Sequence, residues 1–185
     1  CNEPKFFDDT NFENDMYQKK VYERALHIMQ AKGYKTILDV GCGSGYKLMN
    51  MLGKYDTVGA DVGTTLEFLQ NKYPTRKWMS ADEPWEEGVY DLVICADVIE
   101  HLSDPDLLLT RLRKTKCKYI LLSTPDRDIV RGPETFGPPT NPYHVREWNQ
   151  AELKQYIEKF MKVKSIEICS QWEGCILVTI ERNLA

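Results

Sequence analysis

Short apolar runs alternate with amphipathic stretches along most of the chain. Seven runs are predicted as strands: Thr36–Val40, Asp56–Asp61, Lys77–Asp82, Tyr90–Ala96, Tyr119–Thr124, Val163–Cys169 and Gly174–Glu181. Apolar residues at helical spacing predict helices over five segments: Asn14–Lys32, Ser44–Leu52, Thr64–Lys72, Pro105–Arg113 and Asn149–Lys159. Strands that alternate with helices are typical of a doubly wound α/β sheet, parallel at its centre. The last two strands are separated by a turn alone, so we expect them to pair antiparallel.

Two of the predicted helices carry start signals. The Asp104-Pro105 pair combines an N-cap with proline at the first helical position. Asn149 is followed three residues later by Glu152, which is the spacing of a capping box. Between the fifth strand and the last helix we predict a long loop from Pro125 to about Trp148. Loops of this length inside a compact domain are usually functional or disordered.

The chain has 185 residues, of which 42% are hydrophobic and 28% are charged. This length fits one globular domain, which we assign to residues 14–185, after a flexible lead-in over residues 1–13. The chain begins with Cys1 rather than methionine, which suggests a domain excised from a larger protein. The net charge of −4 disfavours a broad nucleic-acid surface. No apolar run approaches the roughly 18 residues of a membrane-spanning helix.

Six cysteines are scattered through the chain without a CxxC pair. A zinc ribbon needs such pairs, so this class of metal site is disfavoured. Cys95, Cys169 and Cys175 lie in apolar strand-like runs. We therefore expect free thiols in a reducing compartment and a cytoplasmic location.

The segment Asp39–Gly45, with the sequence DVGCGSG, joins the first strand to the next helix. Its three alternating glycines allow a sharp turn and the close approach of a ligand. A dinucleotide site needs G-x-G-x-x-G, but Tyr46 occupies the position of the third glycine. The G-K-S/T sequence of a P-loop is also missing. The turn therefore predicts a nucleotide-like ligand of another kind.

Acidic residues end the first three predicted strands: Asp39, Asp61 and Asp82. Ligands in such folds lie at the carboxyl ends of the strands, near the point where the strand order reverses. Asp61 follows the first glycine by roughly twenty residues, as an acceptor for ribose hydroxyls does. Asp82 is placed to accept from an adenine amino group, and Asp39 to orient the turn or an ammonium group. A ribose, an adenine and a cationic amino-acid tail together describe S-adenosylmethionine.

The motifs Asp39–Gly45, Asp61, Ala81-Asp82 and Tyr90–Ile94 resemble, in order and spacing, those of class I S-adenosylmethionine-dependent methyltransferases. This resemblance implies a Rossmann-like, seven-stranded mixed sheet in the order 3-2-1-4-5-7-6, with helices on both faces. It also implies a cofactor site formed by Asp39, Gly41, Cys42, Gly43, Gly45, Asp61, Val62, Ala81, Asp82 and Ala96. A methyltransferase fold that binds cofactor or a partner without catalysis is the alternative from another functional class.

A second candidate site follows the fourth strand. Asp97, Glu100 and His101 have the spacing i, i+3 and i+4, which places them on one face of a helical turn. The apolar residues among them are then expected to face the core: Val98, Ile99 and Leu102. His144 lies in the long loop after the fifth strand, so we expect it over the same carboxyl edge of the sheet, near Glu100 and His101.

Three interpretations of these residues stay open. In the first, His101 or His144 is a general base for an acceptor hydroxyl, oriented by a carboxylate such as Asp97. In the second, one divalent cation such as Mg or Mn lowers the pKa of a coordinated hydroxyl. Its ligands would be Asp97, Glu100, His101 and His144. In the third, Glu100 and His101 only stabilise the turn after the fourth strand.

Two further resemblances concern the acceptor. The acidic and histidine residues resemble the E-x-x-E-H pattern and later histidine of Hen1-type small-RNA 2′-O-methyltransferases, with Asp97 at the first position. The Glu100-His101 pair also resembles that of ubiquinone-pathway O-methyltransferases. The loop from Gly132 to Trp148 resembles that of methyltransferases associated with glycosyltransferases, which implies a sugar hydroxyl as acceptor and fused or associated glycosyltransferase domains as partners.

We therefore predict O-methylation of a sugar hydroxyl on a glycan or nucleotide-sugar. An RNA 2′-hydroxyl is an alternative, although no basic patch is evident, and a small phenol is another. Three aromatic residues of the loop are candidates for stacking on a sugar or a base: Phe136, Tyr143 and Trp148.

Overall fold

A mixed sheet of seven strands organises residues 16–182, which are the residues that the computed structural model describes. The strand order is β3-β2-β1-β4-β5-β7-β6, as predicted. The strands are β1 Thr36–Val40, β2 Asp56–Asp61, β3 Lys77–Ser80, β4 Val89–Ala96, β5 Lys116–Pro125, β6 Ser165–Ser170 and β7 Cys175–Glu181. The proposed flexible lead-in, residues 1–13, lies outside the described residues. β7 pairs antiparallel with both β5 and β6, and the other neighbouring strands are parallel.

Helices cover both faces of the sheet. They are α1 Lys19–Lys32, α2 Tyr46–Leu52, α3 Gly63–Lys72, α4 Pro105–Lys114, α5 Arg127–Arg131 and α6 Gln150–Ile157. Side chains of β1 and β4 alternate between two apolar cores, one shared with α1, α2 and α3 and the other with α4 and α6. The predicted start signals are confirmed, because Asp104 caps α4 and Asn149 forms a capping box with Glu152 at α6.

The functional edge of the sheet follows from the strand order. β1 lies between β2 and β4 and is parallel to both, so the strand order reverses on either side of it. The glycine turn leaves the carboxyl end of β1 at this switch point, where open α/β sheets bind their ligands. The chain after β4 and the chain after β5 leave from the same edge, because both strands run parallel to β1.

The structure corrects three predicted segments. The region from Pro125 to Trp148 is not all loop, because it contains α5. The Asp126 carboxylate accepts hydrogen bonds from the N–H groups of Asp128 and Ile129 and so starts this helix. β3 ends at Ser80, which leaves Asp82 exposed in the following turn rather than at a strand end. The first helix begins at Lys19 rather than Asn14.

The structure also describes the state of the cysteines and the length of the helices. All five cysteines among the described residues are free thiols, of which four are buried and Cys169 is partly exposed. Within residues 16–182, no helix combines the length and apolar character needed to cross a membrane.

Candidate active site

The glycine turn is shaped by backbone conformations that other residues avoid. Gly41, Gly43 and Gly45 have φ values of +72°, +54° and +68°. A Cβ atom at Gly41 would also overlap the Cγ2 atom of Val98, which follows β4. The turn is anchored to the neighbouring strand, because the Gly41 N–H donates to the carbonyl of Ala60 at 2.8 Å. Glycine is therefore required at position 41 for both its conformation and its lack of a side chain.

Asp61 fixes the turn from the end of β2. Its Oδ2 atom accepts a hydrogen bond from the N–H of Gly43 at 2.8 Å, and its Oδ1 atom accepts one from the N–H of Val62 at 2.8 Å. Asp61 and Val62 line a first cavity of about 200 Å³, together with Thr65, Ala81, Val98 and Leu102. The predicted burial of Val98 and Leu102 in the core is thus only partly right, because both side chains also form a wall of this cavity. Asp82 stays outside it, exposed to solvent.

Asp39 lies beneath the turn, fully buried. Its Oδ2 atom accepts a hydrogen bond from the hydroxyl of Tyr22 at 2.8 Å, while Oδ1 has no hydrogen-bond partner among the described residues. Burial raises the pKa of Asp39 to about 7, against the lowering effects of the Tyr22 hydrogen bond and the Lys47 charge. Asp39 lines neither this first cavity nor the second one that adjoins it, and its role, orienting the turn or contacting the ligand, stays a prediction.

A second cavity of about 270 Å³ adjoins the first. The two share Gly41, Gly43, Asp97 and His101, so the glycine turn separates them only in part. The remaining wall of the second cavity includes Gln18, Lys47, Ala96, Glu100, Asn141 and His144. Cys42 contributes to the same wall, with most of its side chain buried. The two cavities together form one elongated cleft along the carboxyl edge of the sheet.

Asp97 occupies an unusual conformation at the junction of the two cavities. Its φ of +53° lies in the left-handed region, which non-glycine residues seldom adopt. Two contacts with Ser123 at the end of β5 hold it there. The Asp97 N–H donates to the Ser123 carbonyl at 3.0 Å, and the Ser123 hydroxyl donates to Asp97 Oδ1 at 2.6 Å. The helical turn that follows is a 3-10 turn, Ile99–His101, so Asp97 does not share a face with Glu100 and His101 as predicted.

Three of the four predicted metal ligands do come together. One ligand atom each from Glu100, His101 and His144 lies within 4.8 Å of the others, and Asp97 stands outside this group. Glu100 is fully buried, and within the described part of the chain neither of its carboxylate oxygens has a hydrogen-bond partner. Burial raises the pKa of Glu100 well above its usual value, and the nearby charge of Asp97 adds to this effect. A buried carboxylate without partners is costly unless something else binds it.

A contact from the Nδ1 atom to an oxygen orients the ring of each histidine. His101 Nδ1 lies 3.0 Å from the carbonyl oxygen of Tyr143, and His144 Nδ1 lies 2.7 Å from a carboxylate oxygen of Glu147. Because both oxygens can only accept, Nδ1 is the donor nitrogen of each ring. His144 Nε2 in turn accepts from the side-chain amide of Asn141 at 3.0 Å. Although burial opposes it, hydrogen bonds from Arg131 and His144 hold the pKa of Glu147 below its usual value.

Backbone hydrogen bonds attach the loop to the 3-10 turn. The N–H groups of Val145 and Arg146 both donate to the carbonyl oxygen of Glu100, at 2.7 and 3.3 Å. The rings of His101 and His144 consequently approach to 4.9 Å between centroids, nearly perpendicular to each other. The predicted meeting of His144 with Glu100 and His101 is therefore observed.

Sequence reasoning missed several residues of the cleft. Lys47, in the first turn of α2, could have been found from its place directly after the glycine turn. The sequence around Gln18 and Ser123 contains no motif that points to the site. Their contacts there are with residues distant in sequence, Ala96 for Gln18 and Asp97 for Ser123. Of the aromatic candidates, Trp148 is buried and stacks on Tyr156 with centroids 5.6 Å apart, so it serves packing.

Comparison with known proteins agrees with this architecture. Residues 15–172 match a family described as a methyltransferase domain. The chain belongs to the S-adenosylmethionine-dependent methyltransferases. It is 31% identical over 150 residues to a probable S-adenosylmethionine-dependent methyltransferase of Mycolicibacterium smegmatis, covering 75% of this chain and 54% of that protein. A similar protein of Mycobacterium tuberculosis H37Rv is 28% identical over 159 residues, covering 78% and 54%. This methyltransferase chain thus spans about half the length of the curated relatives it matches.

Solved methyltransferase structures share the fold at low sequence identity. Magnesium protoporphyrin IX methyltransferase from Synechocystis PCC 6803, with bound S-adenosylhomocysteine, gives a TM-score of 0.69 at 16% identity, covering 97% of this chain and 98% of that one. The methyltransferase domain of a bacterial Hen1 gives 0.65 at 18%, covering 89% and 98%. The N-terminal domain of EvdMO1 with bound S-adenosylhomocysteine gives 0.62 at 21%, covering 88% and 81%. These neighbours differ in their acceptors, so they establish the fold and not the acceptor.

Proposed function

We propose that this domain transfers the methyl group of S-adenosylmethionine to a sugar hydroxyl on a glycan or nucleotide-sugar. The observation that carries the proposal is the junction of two cavities at the glycine turn. Asp61 in the first cavity suits a ribose. The second cavity is lined by His101 and His144, whose rings are each held through the Nδ1 atom. A methyl donor that spans the junction would present its methyl group to the second cavity. Methyl transfer needs this kind of in-line alignment of donor and acceptor.

The first cavity suits the nucleoside part of the cofactor. Asp61 lines this cavity, and its carboxylate, which also accepts from the N–H groups of Gly43 and Val62, can accept from the ribose hydroxyls. Ala81 lines this cavity where the adenine ring would pack, and Asp82, exposed in the turn after β3, is the neighbouring acid that would accept from the adenine amino group. The glycines leave room for the cofactor chain at the junction of the cavities.

The second cavity suits the amino-acid end of the cofactor and the reacting methyl group. Cys42 and Ala96 form its apolar wall, and Lys47 brings the positive charge that would pair with the cofactor carboxylate. Asp97 lies at the junction, where a carboxylate favours the positive sulfonium. Asp39 acts from beneath by holding the turn in place.

The acceptor hydroxyl needs a proton acceptor, because a neutral hydroxyl is a weak nucleophile. We assign this role to His101 Nε2, which lies 4.0 Å from a carboxylate oxygen of Glu100, since Nδ1 is held by the Tyr143 carbonyl. His144 is oriented in the same way by Glu147 and lies against His101. We assign proton removal to this histidine pair, with the cofactor sulfonium as the leaving group that departs as a neutral thioether.

The same residues fit a divalent cation. Glu100 supplies two buried oxygens without hydrogen-bond partners among the described residues, and the two histidines supply ring nitrogens, where a cation would replace Asn141 as the partner of His144 Nε2. This mixed oxygen and nitrogen set suits Mn or a similar ion. A bound cation would lower the pKa of a coordinated acceptor hydroxyl. The Tyr143 carbonyl and Glu147 would then be the outer contacts that orient the histidine ligands.

A structural neighbour and two exposed aromatic residues support a sugar as the acceptor. The N-terminal domain of EvdMO1 has also been solved in the presence of D-fucose, and that structure covers 90% of this chain at 21% identity and a TM-score of 0.60. Phe136 and Tyr143 are exposed on the loop, where a sugar ring could stack. Associated glycosyltransferase domains would supply such a substrate. The free thiols are consistent with the cytoplasmic location that we predict.

An RNA 2′-hydroxyl is the second candidate, favoured by one observation. The group formed by Glu100, His101 and His144 has the composition that resembles the Hen1 type, and a Hen1 domain is among the structural neighbours. The net charge of −4 opposes this candidate, because RNA binding depends on positive charge.

Two measurements test the proposal. Calorimetry with S-adenosylhomocysteine should give binding to the wild-type protein and much weaker binding to Asp61→Ala. Incubation with methyl-labelled S-adenosylmethionine and separate pools of glycans, RNAs and phenols should label the glycan pool. Failure of both proteins to bind would contradict the cofactor site. Label confined to RNA would replace the acceptor class and leave the cofactor site standing.

A further inference from the structure

A third cavity of about 190 Å³ adjoins the second. The second and third cavities share Tyr17, Asp97, Pro125, Asn141 and His144, whereas the third shares only Asp97 with the nucleoside cavity. The third cavity therefore has most of its common wall with the second. If the cofactor fills the first and reaches into the second, the third is the space from which an acceptor approaches.

The wall of the third cavity combines acids, neutral polar groups and an apolar face. Its acids are Asp97, Glu147 and Glu173, and no lysine or arginine lines it within residues 16–182. Glu147 is already paired with Arg131 at 2.8 Å and with His144. The unbalanced negative charge therefore comes from Asp97 and Glu173. A phosphate group entering this space would meet carboxylates and no cation.

Neutral hydrogen-bonding groups and hydrocarbon surface complete the wall. Thr140 and Asn141 contribute a hydroxyl and an amide from the loop, and Val130 contributes an apolar face from α5. Glu173 is held in place, because one of its oxygens accepts from the N–H of Gln18 at 2.7 Å. Carboxylate and amide groups beside apolar surface suit a ligand that has many hydroxyls on a hydrocarbon ring.

Two exposed aromatic rings stand at this side of the cleft. Tyr17, which lines both cavities, and Trp172, in the turn between β6 and β7, have ring centroids 5.4 Å apart. Tyr17 is 52% exposed and Trp172 is 63% exposed, although both are large apolar side chains. The Gln18–Glu173 contact ties these two segments together, so the pair is positioned by the fold. Exposed aromatic faces beside a cavity can pack against the C–H face of a sugar.

From these contacts we infer that the third cavity is the acceptor subsite and that it takes a neutral saccharide, with the Tyr17–Trp172 pair as its stacking surface. This inference rests on the proposed O-methyltransferase function and makes the acceptor more specific. It favours the uncharged end of a glycan over a sugar phosphate. It also favours a glycan over an RNA end, because the phosphates that flank an RNA 2′-hydroxyl would face Asp97 and Glu173.

The experiment compares acceptors and variants at the same time. The acceptors are methyl glycosides of neutral hexoses and deoxyhexoses, the matching sugar phosphates, and a short RNA. The first variant is Val130→Trp, which fills the third cavity from a position outside the cofactor site. Its matched control is Ile129→Trp, which adds the same bulk at the neighbouring residue of α5. The binding of S-adenosylhomocysteine is measured for each protein by calorimetry.

We expect turnover of at least one neutral glycoside and none of the sugar phosphates or RNA. Val130→Trp should lower kcat/KM for that glycoside by about tenfold or more, since it blocks the subsite, while cofactor affinity stays as in the wild type. Ile129→Trp should retain wild-type values for both. Equal kcat/KM for Val130→Trp and the wild type would overturn the subsite and leave the O-methyltransferase function intact.

A positive charge placed in the third cavity tests whether its acidic wall excludes phosphates. Thr140→Arg introduces a cation into the third cavity and should allow turnover of a sugar phosphate that the wild type rejects. Thr140→Met, of similar length without charge, should not. A wild-type protein that methylates sugar phosphates or RNA as well as neutral glycosides would overturn the neutral class. If the wild-type protein does not bind S-adenosylhomocysteine, the result contradicts instead the proposed function on which the inference rests.

Discussion

The Nδ1 atom of His101 lies 3.0 Å from the carbonyl oxygen of Tyr143, so a residue of the long loop determines which nitrogen of His101 faces the cavity. The contact joins two segments that are 42 residues apart. The other ring nitrogen, Nε2, lies 4.0 Å from a carboxylate oxygen of Glu100.

His101→Asn should remove the proton acceptor while keeping a side chain of similar polarity. We expect kcat to fall by about 10² to 10⁴, the usual contribution of a general base. Affinity for S-adenosylhomocysteine, measured by calorimetry, should be unchanged. His27→Asn, at an exposed position on α1, is the control and should have wild-type activity. Full activity of His101→Asn would remove the histidine from the mechanism.

The variants Glu100→Gln and Asp97→Asn together test whether Glu100 is a ligand of a divalent cation. Both variants replace a carboxylate with its amide, but only Glu100 belongs to the group with His101 and His144. Calorimetry with Mn²⁺ should show binding to the wild type and to Asp97→Asn, and none to Glu100→Gln. If the wild type binds no Mn²⁺ and keeps its activity after exhaustive chelation, the histidine pair acts without a metal.

Asp39 should make the stability of the ligand-free domain depend on pH. Burial raises its pKa from 3.8 to about 7, so between these values the folded state holds a proton that the unfolded chain has released. Stability therefore falls as pH rises through this window, by about 4 kcal/mol at most. Asp39→Asn retains an acceptor for Tyr22 and should lack this component. Urea unfolding at pH 5 and pH 8 should show a smaller loss for the variant than for the wild type, and equal losses would refute the assignment.

Gly41→Ala should destabilise the domain through both backbone strain and overlap with Val98. The expected loss is about 2 to 5 kcal/mol, the sum of left-handed strain and overpacking. Gly33→Ala is the control, because Gly33 has a similar φ of +65° and open space around its Cβ position. That change should cost about 1 to 2 kcal/mol. Adding Val98→Ala to Gly41→Ala should recover part of the loss in chemical denaturation. No recovery would mean that the overlap is relieved in another way.

Lys47→Met should weaken cofactor binding by removing one contact, that of the Lys47 ammonium group with the carboxylate of the cofactor. We expect about tenfold lower affinity for S-adenosylhomocysteine, the size of one charge-assisted hydrogen bond. Affinity for 5′-methylthioadenosine, which has no amino-acid carboxylate, should be unchanged. A parallel loss for both ligands would place the effect in the fold of α2 rather than in a contact with the carboxylate.

Much of the fold was predictable because the signals are local. Each strand of the sheet is an apolar run with clear ends, and the capping pairs at Asp104 and Asn149 lie within a single turn of their helices. The exception, α5, begins at Asp126 inside a region rich in proline and glycine. Its cap was overlooked because the surrounding composition indicated a loop.

The candidate site was predictable only in part, because some of its geometry depends on distant partners. The spacing of Asp97, Glu100 and His101 predicted a shared helical face, but spacing alone assumes a continuous helix. The two bonds from Asp97 to Ser123, 26 residues away, hold a left-handed conformation that breaks that face. The contact between Gln18 and Glu173 spans 155 residues and left no trace in either local sequence.

The hydrogen bonds from Val145 and Arg146 to the Glu100 carbonyl also bear on thermal inactivation. We expect methyl transfer and cofactor binding to be lost at different temperatures. The cofactor side is built from neighbours such as Gly43 and Asp61, 18 residues apart, on the central strands. The transfer side depends on a largely exposed loop, which is attached to the 3-10 turn through the Glu100 carbonyl and to α5 through Arg131. Loops open locally at lower free-energy cost than central strands. On gradual warming, this domain should therefore stop transferring methyl groups at a temperature where it still binds S-adenosylmethionine.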